Sequence, residues 1–202
     1  MQKQEIKGDE RNTLHVKAKK EEVRNNENEE RDEGKEENPT PLKALNHVSR
    51  LCRNVKDSIE FYTKVLGFVL MERPKVLNFE GAWLFNYGIG IHLVQSKEEE
   101  KLPSYTKELE PNDNHICFQC EEMEEMERKL KKMKVKYMKQ RLETEDGTVM
   151  DQIFFNDPDG FMVEICNCED FKLVPLDSLG KLKLPIDRHI PPVKTNHHNA
   201  SN

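Results

Sequence analysis

The chain has 202 residues and a formal net charge of −6, and hydrophobic and charged residues each make up 35% of it. This length suits one domain, or two small modules that share a core, and the negative charge argues against general attraction to nucleic acid or to an anionic membrane. No run of 18 apolar residues occurs, so no transmembrane helix is expected. The first residues lack an apolar signal core and the composition of a transit peptide, which favours a cytoplasmic location and leaves the nucleus open.

The large apolar residues are concentrated in one part of the chain. Residues 1–40, which end in "RNNENEERDEGKEENPT", contain almost none and are predicted to be a disordered acidic and polar segment. Residues 171–202 are predicted to be a loose C-terminal tail. Residues 41–170 have the composition of an ordinary globular domain.

The first predicted module covers residues 43–96 and contains one strand, one helix and three further strands. Alternating side chains in "LNHVSRLC" predict the first strand. Apolar residues at helical spacing in "NVKDSIEFYTKVLGF" predict the helix, which Gly67 ends. The three later strands are predicted in the order "FVLMER", "GAWLFNY" and "GIGIHLVQ".

The second predicted module covers residues 112–168 and has the same order of elements. "NHICFQC" predicts a strand, and "EMEEMERKLKKM" predicts a helix with one apolar stripe. The polar linker "SKEEEKLPSYTKELEPND", which holds two prolines, separates the two modules. The last strands are predicted in "KYMKQR", "MDQIFF" and "FMVEICN", with the turn "NDPDG" before the final one.

The two modules form an internal repeat. His115 follows His47 by 68 residues and Glu164 follows His92 by 72, so a four-residue insertion aligns both pairs. A repeat of this length indicates how the fold is built. We predict an α+β fold in which two paired βαβββ modules form a curved sheet, with the helices outside and a cleft on the concave face.

The first and last strands of each module each carry one residue able to bind a metal ion. These residues are His47, His92, His115 and Glu164, and no other histidine lies in the predicted globular region. Three imidazoles and a carboxylate suit a divalent ion such as Zn²⁺, Ni²⁺, Co²⁺ or Mn²⁺. A single histidine in a strand is more often structural, but the four matched positions together favour a metal site. Glu164 is hard to explain otherwise, because a buried unpaired carboxylate is costly.

The five cysteines are predicted to be reduced thiols in a reducing compartment. Cys117 and Cys120 form a CxxC, but the period of a strand would put them on opposite faces, so we interpret them as small buried residues. Cys166 shares the face of Glu164 and is a weaker candidate for an extra ligand. Trp83 and Phe85 share one face of their strand, and lining the cleft and packing in the core are equally good interpretations.

These motifs together resemble the vicinal oxygen chelate superfamily, and within it the glyoxalase I (lactoylglutathione lyase) type. The resemblance covers about residues 43–170 and depends most on "SIEFYTKVLGF" and "DPDGFMVEI". "LNFEGAWLF" and "EKLP" look most like the plant glyoxalase I-like proteins. The resemblance implies the glyoxalase/bleomycin-resistance/dioxygenase fold.

The resemblance also implies a mechanism. A divalent metal held by His47, His92, His115 and Glu164 would chelate two neighbouring substrate oxygens and stabilise an enediolate-like intermediate. The substrate would be a small molecule such as the hemithioacetal of methylglyoxal and glutathione. Glu164 would be the catalytic base that moves the proton. The family often forms dimers, in some of which two chains share the site, so a homodimer is left open.

Three positions differ from the glyoxalase I pattern. His92 stands where a second glutamate is usual. Leu51 and Ser96 stand where an arginine and an asparagine would hold glutathione, and Arg50 is predicted to lie on the strand face opposite His47. The altered glutathione contacts keep alternatives open. They are a thiol transferase, an Fe²⁺ extradiol dioxygenase, which a ligand at His92 disfavours, and a non-catalytic module that binds a small molecule.

Overall fold

The structure is a computed structural model that describes residues 41–103 and 108–168. The predicted disordered segment, residues 1–40, and the predicted tail, residues 171–202, lie outside the described residues. The division of the chain at residues 40 and 170 therefore stays a prediction. Within the two described ranges, no helix is long and apolar enough to cross a membrane.

Both modules have the predicted order of one strand, one helix and three strands. The elements of module one are β1 (His47–Cys52), α1 (Val55–Lys64), β2 (Val69–Met71), β3 (Gly81–Asn86) and β4 (Ile89–Gln95). A short 3-10 helix, Glu99–Lys101, follows β4. The elements of module two are β5 (His115–Gln119), α2 (Met123–Lys132), β6 (Tyr137–Glu143), β7 (Val149–Asn156) and β8 (Met162–Cys166).

The eight strands of the two described ranges form two four-stranded mixed sheets with matching topology. Module one has the order β1-β4-β3-β2, and module two has the order β5-β8-β7-β6. In each sheet the first and last strands of the module pair in parallel, and the other neighbours are antiparallel. The matching strand orders confirm the repeat and the α+β fold. They also make the two strands that carry the predicted ligands adjacent within each module.

Local sequence explains the bounds of α1. Asn54 precedes the helix with an extended backbone, and its side chain accepts a hydrogen bond from the Lys56 N–H at 3.0 Å. This contact satisfies one of the free donors of the first turn. Gly67, at φ 75°, ends the helical segment, and the Phe68 N–H donates to the Tyr62 carbonyl at 2.9 Å.

One apolar core joins the two modules. It contains one face of each sheet together with the buried faces of α1 and α2, and Phe61 of α1 packs near Phe155 of β7 with ring centroids 6.2 Å apart. Phe68 of module one also meets Phe118 of β5 at 5.8 Å. Burial of these aromatic side chains makes the modules one hydrophobic unit.

The turn between β7 and β8 also contacts module one through polar side chains. The Ser58 hydroxyl donates to Asp159 Oδ2 at 2.7 Å, and the Tyr62 hydroxyl donates to Asp157 Oδ2 at 2.9 Å. All four residues are buried. The two segments "SIEFYTKVLGF" and "DPDGFMVEI" therefore bind each other directly.

Candidate functional site

The predicted ligands lie on the face of each sheet that points away from the shared core; we call this the ligand face. Strand period two places His47, Ser49 and Leu51 of β1 there, and the register puts His92 of β4 beside Ser49. The next strand, β3, places Trp83 opposite His92 on the same face.

In module one, His47 and His92 form a stacked pair of rings. Their centroids lie 3.9 Å apart with 13° between the ring planes, and Trp83 stacks on His92 at 4.3 Å and 7°. Gly90 lies beside them, where a Cβ would be 3.1 Å from the His47 Cβ, a tight contact, and 3.6 Å from His92 Nε2. Trp83 thus lies on the ligand face, which favours the interpretation that it lines the cleft over the interpretation that it packs in the core.

In module two, His115 contacts Glu164 directly. His115 Nε2 lies 2.9 Å from Glu164 Oε2, and the Gln152 amide donates to Glu164 Oε1 at 2.5 Å. Glu164 is only 5% exposed. Because both carboxylate oxygens have partners, the desolvation cost of this buried group is offset. The side chain is held in one orientation by two neighbours.

The two histidines that begin β1 and β5 have matching partners for the second ring nitrogen. His47 Nδ1 lies 2.7 Å from Asn46 Oδ1, and His115 Nδ1 lies 2.7 Å from the Asp113 carbonyl. Both partners are acceptors, so Nδ1 can donate in each ring; Nε2 of His115 faces a further acceptor, the Glu164 carboxylate, so a metal ion bound there would replace the Nε2 proton. This assignment directs Nε2 toward the ligand face, as in metal-bound histidines whose other nitrogen is held by an outer acceptor.

Electrostatics also favour a neutral imidazole at His92. Burial lowers the pKa of His92 below its ordinary value, and the nearby His47 lowers it further. A neutral ring keeps the lone pair that a metal ion needs. A second protonated ring in this stack would be repelled.

The cysteines of module two correct one prediction. Cys166 and Cys168 form a disulfide, so not all five cysteines are reduced thiols as expected. Cys166 ends β8 and Cys168 follows it by two residues, so their sulfur atoms lie close together. The number of cysteines alone did not predict this disulfide. Cys117 Sγ lies 3.4 Å from Cys166 Sγ, and Cys120 packs against the apolar core instead. The prediction that Cys117 and Cys120 lie on opposite faces is confirmed, but their interpretation as small buried residues is wrong for Cys117, which is exposed because β5 is a sheet edge.

The four predicted ligands form two pairs. Module one provides His47 with His92, and module two provides His115 with Glu164. In the described part of the chain, no three of these four residues have ligand atoms within 4.8 Å of one another. A different group, formed by Cys117, Glu164 and Cys166, does meet this distance. The complete four-residue metal site stays a prediction.

Some neighbours of the site were not identified from the sequence. Gln152 is one, and the available signal was a polar residue two positions before Phe154, on the same face of its strand. Arg50 lies away from the ligand face, with its guanidinium 4.9 Å from the Phe161 ring centroid, as predicted. Ser96 follows β4, and its hydroxyl donates to the Glu98 carbonyl at 2.7 Å.

The donor set fits a divalent ion. Each half-site offers imidazole nitrogen, the carboxylate of Glu164 is oriented, and the position of Gly90 leaves room beside the two rings of module one. Imidazole with one carboxylate suits zinc, nickel, cobalt and manganese.

Comparison with known proteins identifies the class. The model of the Glyoxalase/Bleomycin resistance protein/Dioxygenase superfamily matches residues 44–165. The chain belongs to this superfamily, in agreement with its paired four-stranded sheets. The resemblance stated from the motifs is confirmed.

One relative is more specific. The chain is 57% identical over 139 residues to "Glyoxylase I 4" of Arabidopsis thaliana, an alignment that covers 69% of this chain and 79% of the relative. Similar solved structures include a lactoylglutathione lyase from Agrobacterium tumefaciens, at 14% identity and a TM-score of 0.47, covering 65% of this chain and 100% of that one. The fosfomycin resistance protein FosX from Listeria monocytogenes has 15% identity and a TM-score of 0.48, covering 62% and 92%.

Proposed function

We propose that the chain is a metal-dependent glyoxalase I-like lyase that acts on a small vicinal-oxygen substrate, such as the hemithioacetal of methylglyoxal and a thiol. The observation that carries this proposal is the buried Glu164 carboxylate, which His115 contacts at 2.9 Å and Gln152 at 2.5 Å. The identity of 57% to "Glyoxylase I 4" supports the same reaction class.

The proposed ligands are His47, His92, His115 and Glu164, and the proposed ion is Zn²⁺, Ni²⁺, Co²⁺ or Mn²⁺. When bound, such an ion polarises the two neighbouring oxygens of the substrate. His47 and His115 are prepared for this role, because Asn46 and the Asp113 carbonyl hold Nδ1 of each ring.

Glu164 is the proposed catalytic base. Its Oε2 faces His115, and its Oε1 is held by Gln152, so the carboxylate cannot rotate freely while a proton is transferred. Gln152 is a positioning residue. Trp83, stacked on His92, forms an apolar wall on the ligand face of module one.

The residues that would bind glutathione differ from the glyoxalase I pattern. Leu51 occupies the position on β1 where an arginine would bind a glutathione carboxylate, and it offers no charge. Ser96 is engaged by the Glu98 carbonyl. We therefore propose a thiol adduct as the substrate class, with glutathione as the first thiol to test.

We also propose that two chains form a homodimer that completes the site. The two ligand pairs lie on separate sheets, and both first strands, β1 and β5, are sheet edges with exposed ligand-face residues, Ser49 and Gln119 among them. A twofold axis would bring His47 and His92 of one protomer to His115 and Glu164 of its partner, twice. A cytoplasmic location, with the nucleus left open, stays an expectation.

Elemental analysis of purified protein tests the metal site. We expect about one equivalent of a transition metal per chain, lost in His115→Ala. Absence of metal after soaking with Zn²⁺ and Ni²⁺ would contradict the ligand assignment, and the chain would then be better described as a small-molecule-binding module.

Mixing two inactive variants tests the shared site. His47→Ala and His115→Ala chains, unfolded and refolded together, form heterodimers in which one of the two shared sites has all four ligands. Recovery of about a quarter of the wild-type metal and activity is expected from random pairing. No recovery, with heterodimers present, would assign each site to a single chain.

The role of Glu164 is tested by Glu164→Gln. Loss of the base is expected to lower kcat for the methylglyoxal–glutathione adduct about 10²- to 10⁴-fold. Glu143→Gln, an exposed residue of β6, is the matched control and should keep wild-type turnover. An unchanged kcat in Glu164→Gln would reject the assignment.

A further inference from the structure

Three potential ligand atoms meet within module two without any contribution from module one. They belong to Cys117, Glu164 and Cys166, and all lie within 4.8 Å of one another. The two sulfur atoms are 3.4 Å apart. Tetrahedral zinc with Zn–S bonds of about 2.3 Å holds its thiolates about 3.8 Å apart, so the pair needs little movement to bind one ion.

Strand register creates this cluster. Cys117 of β5 lies beside Glu164 of β8, and Cys166 follows Glu164 by two residues on the same face. Glu164 and Cys166 are 5% and 4% exposed, whereas Cys117 lies on the exposed edge strand. An ion would therefore approach past Cys117 and meet two donors already held in the sheet.

His115 lies beside Glu164, outside this group of three, and is the fourth donor of the proposed site. Its Nε2 is 2.9 Å from Glu164 Oε2, and the Asp113 carbonyl holds its Nδ1. Two thiolates, one imidazole and one carboxylate form a set that prefers Zn²⁺ or another soft or borderline ion over Mg²⁺ or Ca²⁺.

We propose that reduction of the Cys166–Cys168 disulfide opens a second mode of metal binding, in which Cys117, Cys166 and Glu164, with His115, bind a thiophilic divalent cation within module two. This site goes beyond the proposed lyase activity and does not depend on it. It uses neither His47 nor His92, and it shares Glu164 and His115 with the four-ligand site, so one ion at a time can occupy them.

The chemistry balances with a small-molecule thiol as reductant. Two equivalents of thiol reduce the Cys166–Cys168 bond and leave as their own disulfide, while two protons pass to Cys166 and Cys168. Binding of the cation then releases the protons of Cys117 and Cys166, because a coordinated thiol is deprotonated. Cys168 is left as a free thiol; in the disulfide form its Sγ lies 3.2 Å from Met150 Sδ.

The test is a Co²⁺ titration of the full chain, reduced and oxidised, followed by absorption spectroscopy. Thiolate ligands give a sulfur-to-cobalt charge-transfer band in the near ultraviolet, and imidazole and carboxylate do not. We expect the band in the reduced chain only, and we expect it to persist in the His47→Ala/His92→Ala double variant.

Matched cysteine variants make the test specific. Loss of a residue that only supports a metal ligand already weakens metal binding about 10- to 100-fold. Loss of the ligand Cys117 in Cys117→Ser should therefore abolish the band and lower the Co²⁺ affinity at least about tenfold. Cys120→Ser, on the opposite face, should keep both. Circular dichroism checks folding, and Cys117→Ala is the second variant if Cys117→Ser does not fold.

Two results would overturn the proposal. One is Co²⁺ binding to the reduced chain without a charge-transfer band, and the other is a band that survives in Cys117→Ser. Loss of all Co²⁺ binding in His47→Ala/His92→Ala, with no band in the wild type, would support the four-ligand site and reject the thiolate site. A charge-transfer band in a chain without lyase activity would support the thiolate site and count against the proposed lyase function.

Discussion

The Ser58 hydroxyl donates a hydrogen bond of 2.7 Å to Asp159 Oδ2, and the two residues are 101 positions apart in the chain. Ser58 lies in the helix of module one, and Asp159 lies in the turn before β8 of module two. Both are fully or almost fully buried, at 0% and 1% exposure. The contact joins the two modules beside the strand that carries Glu164.

A second buried pair strengthens this junction. The Tyr62 hydroxyl, one helical turn after Ser58, donates to Asp157 Oδ2 at 2.9 Å. The Arg53 backbone N–H donates to Asp159 Oδ1 at 2.6 Å. Because the turn is held by donors from module one, the start of β8, and therefore the depth of Glu164, depends on the position of α1.

Ser58→Ala should destabilise the protein. Removal of the hydroxyl leaves one oxygen of the buried Asp159 carboxylate without its donor, which typically costs about 1–3 kcal/mol. Urea unfolding of the variant should show a lower midpoint with an unchanged slope. Lys56→Ala, at an exposed position of the same helix, is the matched control and should stay within about 0.5 kcal/mol of the wild type. Equal stability of the two variants would contradict the structural role of this contact.

Asp157 predicts a specific dependence of stability on pH. Burial raises the pKa of its carboxyl from 3.8 to about 6 in the folded state, although the Phe161 N–H and the Tyr62 hydroxyl partly oppose this change. The folded state therefore retains this proton more strongly than the unfolded state does. Its contribution to stability is full below the unfolded pKa and is lost as pH rises through the folded pKa, by about 3 kcal/mol in total.

Asp157→Asn isolates this contribution. The amide oxygen can still accept from the Asp159 and Phe161 N–H groups, which now donate to Asp157 Oδ1 at 2.9 Å each, and the Tyr62 hydroxyl can turn to accept. The difference in unfolding free energy between wild type and variant, measured by urea unfolding from pH 4 to pH 7, should fall from its value at pH 4 as pH rises. A constant difference over this range would show that Asp157 does not titrate as described.

Trp83, the single tryptophan of the chain, should report on metal binding. Its ring stacks on His92 at 4.3 Å, so a cation bound to that imidazole changes the environment of the indole directly. We expect a change in emission on titration of the metal-free protein with Zn²⁺, and no comparable change with Mg²⁺, which prefers oxygen ligands. His92→Ala should abolish the Zn²⁺ response, and a response that survives in this variant would argue against His92 as a ligand.

Leu51→Arg should improve the use of a glutathione adduct. Leu51 lies on the ligand face of β1, where a guanidinium could pair with a glutathione carboxylate. An exposed pair of this kind contributes about 0.2–1 kcal/mol, so KM should fall up to about fivefold with little change in kcat. Leu51→Met is the control for a change of shape without charge. Steady-state kinetics with methylglyoxal and glutathione give the answer, and an unchanged KM would mean that Leu51 does not explain weak glutathione binding.

The fold was largely predictable because its signals are local and occur twice. Periodicity in "SIEFYTKVLGF" and "EMEEMERKLKKM" defines the helices, and the strands between them alternate or are bounded by turns. The repeat then aligned His47 with His115 and His92 with Glu164, and the sheets place these residues on neighbouring strands as expected. Strand period also predicted the opposite orientations of Arg50 and His47.

The partners of those residues could not be derived in the same way. Gln152 reaches Glu164 because β7 pairs with β8 in one particular register, and pattern alone does not determine a register between distant strands. The parallel register of β5 with β8 brings Cys117 near Cys166 in the same way. The Cys166–Cys168 disulfide overturned the expectation of five reduced thiols.

The sequence by itself determined the βαβββ repeat, the family and the four candidate ligands, since each depends on spacing and residue type along the chain. Only the tertiary structure decided how these residues are grouped: as the pairs His47–His92 and His115–Glu164, with a sulfur cluster beside the second. The physical reason is that contacts between residues about 100 positions apart, such as Ser58 with Asp159, depend on how the sheets and helices pack, and packing responds to the shape of the whole core.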